Sequence, residues 1–116
     1  MKTQQKVSCL KKINNMNGYS QSKEGTNVSP FIVEISQPRC FSLVKEWLEA
    51  SNFEEIEPNP DYFEIFAKQN GFEFTFTISE EDHKALVNVS VYGKFGKTNK
   101  ILRNTLKNMI SYFSKK

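Results

Sequence analysis

Histidine, cysteine and arginine are nearly missing from this sequence. Its 116 residues hold one His (His83), two Cys (Cys9 and Cys40) and two Arg (Arg39 and Arg103). Two thiols make no disulfide framework, and the spacing of Cys9 and Cys40 fits no zinc pair. They read as free thiols of a reducing, cytoplasmic compartment. Ser-His-Asp chemistry would have to use His83, which follows Glu80, Glu81 and Asp82. No Gly-x-Ser-x-Gly elbow supplies the nucleophile. Cys40 has no placed base and reads as structural. A non-catalytic chain with no metal and no cofactor is therefore expected. Long apolar runs are missing as well. None approaches the ~18 residues that a membrane span needs, and the N-terminus has no apolar core of a secretory signal.

What is present is an aromatic load of ten Phe, four Tyr and one Trp. Together with the length, this argues for one domain with a packed core. The net charge of +3 hides an uneven layout. Residues 1–30 carry five Lys and one Glu, and residues 31–83 carry three cations against twelve acids. Residues 84–116 carry seven Lys, Arg103 and no acid. Neither a uniformly basic nucleic-acid binder nor an acidic disordered chain looks like this.

Residues 1–29 read as a polar, basic tail, with a short helix considered over 6–16. The folded domain is expected over 30–116. Phe31–Ser36 alternates as a strand, ended by Gln37-Pro38. A helix is predicted from about Cys40 to Asn52, with Leu43, Val44, Trp47, Leu48 and Ser51 on one stripe. The two prolines of Glu57–Asp61 predict a stiff connector. Asn70-Gly71 between alternating runs predicts a hairpin over 62–78 whose opposed residues sum to 141. Ser79–Lys84 reads as a polar loop. Ala85–Tyr92 reads as a strand with Val87, Val89 and Val91 inward. A last helix follows from Thr98 or Asn99 to about Phe113, with Leu102, Leu106, Met109, Ile110 and Phe113 as its apolar stripe. The expected fold is α+β, in the order β-α-β-β-β-α. It comprises an antiparallel sheet of about four strands with two helices on one face.

Two groups of candidate site residues emerge. Gly96-Lys97-Thr98, between a strand and a helix, has the ending of a phosphate-binding loop. The loop's first glycine is replaced by Val91, and only residues 99–116 follow to supply a magnesium-binding carboxylate. Nucleotide hydrolysis is thereby set aside. An anion site built from Gly96, Lys97, Thr98, Lys100, Arg103 and Lys107 is kept, because helix-start N–H groups and clustered cations attract anions. The second group is Phe66, Thr75 and Tyr92 on the open face of the sheet. Aromatic residues there suit contact with a partner.

The sequence thus predicts a binding or adaptor domain. Its partner is another protein or itself, held by the open sheet face or the basic last helix. Nucleic-acid or anionic-ligand binding by the last helix, and small-molecule binding in a helix–sheet pocket, are the alternatives.

Overall fold

The computed structural model describes residues 23–27 and 30–115. The helix considered over 6–16, together with Cys9 and Lys116, lies outside the described residues. The fold is α+β, with two helices and an antiparallel sheet. The sheet has six strands rather than about four, and the element order is β-β-α-β-β-β-β-α. The elements are β1 (Lys23–Asn27), β2 (Phe31–Val33), α1 (Gln37–Ala50), β3 (Glu55–Asn59), β4 (Glu64–Gln69), β5 (Phe72–Glu81), β6 (Lys84–Lys94) and α2 (Thr98–Ser114). Across the sheet they run β1-β6-β5-β4-β3, with β2 beside β1 on the same flank of β6. From β1 and β2 on one edge the chain crosses by α1 to the other and meanders back through β3–β6.

The two strands beyond expectation have different causes. β1 comes from the stretch read as a tail. It pairs with the end of β6, from Lys23↔Lys94 to Asn27↔Ser90. β3 contains Pro58, which pairs with Ile65. A proline cannot donate to a ladder, and it is tolerated here because β3 is an edge strand with one neighbour. The Glu57–Asp61 connector is corrected accordingly: residues 57–59 are strand and the turn is confined to 60–63.

The meander follows hairpin chemistry. Pairing from Glu64↔Thr77 to Gln69↔Phe72 has the predicted sum of 141. Asn70 and Gly71 take φ of 53° and 84°, the positive pair that a type I′ turn requires. Tyr62 and Phe63 leave the strand, and Phe63 turns to φ 51°. The Ile78 N–H still donates to the Phe63 carbonyl at 2.9 Å. The expected polar loop at 79–84 is mostly strand. β5 and β6 pair up to Glu81↔Lys84, leaving only Asp82 and His83 to turn, at φ 53° and 65°. Short polar side chains tolerate that left-handed conformation, which is why two residues suffice.

Both helices cover the face where Phe72, Phe74, Phe76, Ile78, Val87, Val89 and Val91 are buried. Pro38 stands in the first turn of α1 rather than ahead of it, where the absent N–H is no loss. Ser36 caps that helix by accepting the Arg39 N–H at 3.4 Å. The buried stripe of α1 is Cys40, Phe41, Val44, Trp47 and Leu48. Trp47 meets Phe76 edge-on at 6.0 Å, and Phe53 meets Phe74 at 5.1 Å. Such aromatic pairs add about 0.5–1.5 kcal/mol each beyond area burial. On α2 the buried residues are Thr98, Leu102, Thr105 and Met109, while the predicted stripe member Ile110 is exposed. Phe72 lies over Gly93, directly opposite it across the strands. A Cβ there would stand 2.3 Å from the Phe72 ring, so this position has room only for glycine.

Candidate functional site

The start of α2 carries the first group of predicted site residues. Phe95–Lys97 turn the chain out of β6, with Gly96 at φ 85°. Lys97 is the N-cap of α2 but contributes no side-chain cap bond. That role belongs to Glu24, on β1. Its Oε2 accepts the Gly96 N–H at 3.0 Å and the Thr98 N–H at 3.3 Å. The Thr98 hydroxyl donates to the same oxygen, and Thr98 Oγ1 lies 2.6 Å from Thr26 Oγ1. A carboxylate at a helix N-terminus satisfies orphan N–H groups and complements the macrodipole. The anion that meets Gly96 and Thr98 is thus the chain's own. Thr98 is fully buried. Lys97, Lys100, Arg103 and Lys107 are exposed, the last three along α2 at spacings of three and four.

Glu24 and Thr26 were not legible as site residues. Lys23-Glu-Gly-Thr-Asn27 contains no apolar residue, so no alternation marks it as a strand. Its inward residues match a polar partner, Thr98, rather than the apolar core. The separation of 72–74 residues to Gly96 and Thr98 hides the capping from any local pattern.

The second group gathers on the open face. Ladder register puts Phe66 opposite Thr75 and Thr75 opposite Ser90, and Tyr92 stands two residues beyond Ser90. Phe66, Thr75 and Tyr92 therefore form one contiguous patch on β4, β5 and β6. Phe66 is 42% exposed and Tyr92 39%. Beside Phe66 is a shallow cavity of about 160 Å³, bordered by Glu55, Glu57, Lys68 and Glu73. Lys68 Nζ stands 3.6 Å from Glu55 Oε1. Glu55 and Glu57 face outward from β3 at the edge remote from β1.

A third feature is an open apolar groove of about 420 Å³ between β2 and the end of α2, lined by Phe31, Ile32, Val33, Ile110 and Phe113.

Cys40 is fully buried, and burial pushes its thiol up to about 11. At neutral pH it is a protonated packing group rather than a nucleophile. His83 is exposed at its turn. Among the described residues no cluster of His, Cys, Asp and Glu could hold a metal ion, and no helix is long and apolar enough to cross a membrane.

No protein-family model, curated protein or solved structure matches the chain.

Proposed function

We propose that this is a non-catalytic binding domain that docks a protein partner on the open face of its sheet. The observation that carries this reading is the patch of Phe66, Thr75 and Tyr92. Two aromatic rings stand about two-fifths exposed on a face that neither helix covers, Phe66 within β4 and Tyr92 towards the end of β6. Aromatic side chains with a polar surround are the usual anchors of protein interfaces. The surround here is Ser90, Thr77 and Asn88 towards one end and Glu57 and Glu73 beside Phe66. The buried, protonated Cys40 favours a binding role over a chemical one. At the start of α2, Glu24 already occupies the position where an external anion would be received, which favours the sheet face over that helix end.

The test uses the full chain. Wild type should retain a protein partner in stoichiometric amount. Replacing Phe66→Ser together with Tyr92→Ser should lower retention at least about tenfold, as loss of interface anchors does. Circular dichroism should show the double variant still folded. A double variant that binds as wild type does would refute the open-face reading.

A further inference from the structure

We propose a second binding surface: the outward side of α2 receives the phosphate backbone of a nucleic-acid duplex. Lys97 stands at the helix start, and Lys100, Arg103 and Lys107 follow along the helix. At 3.6 residues per turn these last three lie together, opposite the buried Leu102, Thr105 and Met109. All four cations are exposed. So are Asn99, Asn104 and Asn108 beside them, whose side chains can donate to phosphate oxygens. Residues 84–116 contain no acid. The ion pairs among the described residues, Lys68 with Glu55 and Lys84 with Glu34, involve none of the four.

An ordinary solvated helix face mixes the two signs of charge, as α1 does with exposed Arg39, Glu46 and Glu49. On α2 the cations repel one another as i,i+3 and i,i+4 neighbours. Lys97 and Lys100 also stand at the positive end of the helix dipole, in a first turn without an acidic residue. A polyanion supplies the charge that this surface lacks. The stripe from Lys97 to Lys107 is about 15 Å long at 1.5 Å per residue. Each strand of a duplex presents a phosphate every ~3.4 Å of its axis, so several fall within reach. Glu24 is engaged on the buried side of the helix start, where Thr98 holds it. Residues 1–22, with four Lys and no acid, join the fold at Lys23, opposite Lys94 and thus at the end where α2 begins. On the far side of the sheet, Glu55, Glu57, Glu64 and Glu73 turn a polyanion away from the open face. A lipid surface fits less well. Helices that lie on membranes insert an apolar face, and that of α2 is already packed on the sheet.

The test is fluorescence anisotropy of a labelled, mixed-sequence DNA duplex of about 20 base pairs, titrated with the full chain. Wild type should bind in the micromolar range at low salt, and duplexes of unrelated sequence should compete equally. One phosphate for each of the four cations gives log K against log salt a slope of about −3.6, or steeper where residues 1–22 contribute. Lys100→Gln, Arg103→Gln and Lys107→Gln combined should raise the dissociation constant at least about tenfold and flatten the slope by about 2.7. Gln is a good helix former, so circular dichroism should show this triple variant folded. Lys68→Gln with Lys84→Gln removes charge away from α2 and should change the dissociation constant by less than about threefold. Phe66→Ser with Tyr92→Ser should leave duplex binding unaltered, so this inference and the open-face reading fail separately. Absence of binding at about 50 mM salt overturns the inference. So does a triple variant that binds as wild type does, or no better than the Lys68 and Lys84 variant. Binding to vesicles of phosphatidylserine and phosphatidylcholine without binding to the duplex overturns it as well.

Discussion

The two faces of the sheet are made from the same strands, one residue in two going to each, yet they obey different rules. On the covered face every position of β5 and β6 that meets a helix is apolar or glycine, from Phe72 and Gly93 at one end to Ile78 and Val87 towards the other. On the open face Thr75, Thr77, Asn88 and Ser90 prevail, broken by Phe66 and Tyr92. The covered face fixes the fold, because each ring there is locked by neighbours. The open face has few such constraints. The two partly exposed aromatic side chains there are what the proposed docking face rests on. Side chains one residue apart in sequence can thus belong to unrelated tasks.

The sharpest way to break this comparison is to cut adjacent positions. Phe76→Ala should cost about 3–5 kcal/mol, since it removes a fully buried ring that meets Trp47 and stacks on Phe74. Thr75→Ala, next to it but on the open face, should change stability by less than about 0.5 kcal/mol. Urea unfolding measures both, and similar losses would mean that the faces are not separate in energy.

A somewhat smaller effect is expected at high pH. The Cys40 thiol is raised from its ordinary value near 9 to about 11 by burial. Below pH 9 it is protonated in both folded and unfolded chains and contributes no pH dependence. Between pH 9 and 11 the unfolded thiol ionises while the buried one does not. The native state should lose about 2–3 kcal/mol over that window, at about 1.4 kcal/mol per pH unit. Cys40→Ala should remove this part of the slope. An unaltered slope would show that other groups govern alkaline unfolding.

The smallest effect concerns the two helix starts. Ser36 caps α1 from within its own segment, whereas Glu24 reaches α2 from a distant strand. Glu24→Ala should cost about 1–2 kcal/mol, the range of a lost cap combined with a lost charge at a helix N-terminus. It should also speed amide exchange in β1 more than in β5. A uniform change in exchange would mean that Glu24 does not hold the strand.

Legibility followed the range of the interactions. The register of the Asn70-Gly71 hairpin could be read to the residue, though not the start of its first strand, because turn chemistry and alternation agree within a dozen positions. The inward set Val87, Val89 and Val91 was equally plain. The helix stripe of α2 was read too far towards Ile110, because periodicity alone cannot tell which side a neighbouring strand will cover. Asp82 and His83 looked like part of a loop since their neighbours are charged. Charge does not prevent pairing where both strand ends lie at the surface. Pro58 and β1 were missed for one shared reason. Edge strands need neither a full set of N–H donors nor an apolar face, so they lack the signals that mark interior strands. Phe66 and Thr75 could be paired from sequence because the hairpin register fixed them, and Tyr92 joined them on the outward side by alternation along its own strand. Glu24 could not, because its partners are assembled only by the finished fold.

The Glu24 contact also bears on the order in which the molecule comes together. During synthesis β1 emerges early, but the groups that hold its carboxylate belong to residues 96 and 98. The strand has no apolar side chain of its own with which to wait on the surface of a forming core. Its docking closes a loop of more than seventy residues, and such non-local contacts form late and slowly. The meander β3–β6 can zip from one tight turn to the next while β1 remains outside. Docking of Glu24 at the start of α2 then becomes the final stroke of folding, joining segments more than seventy residues apart.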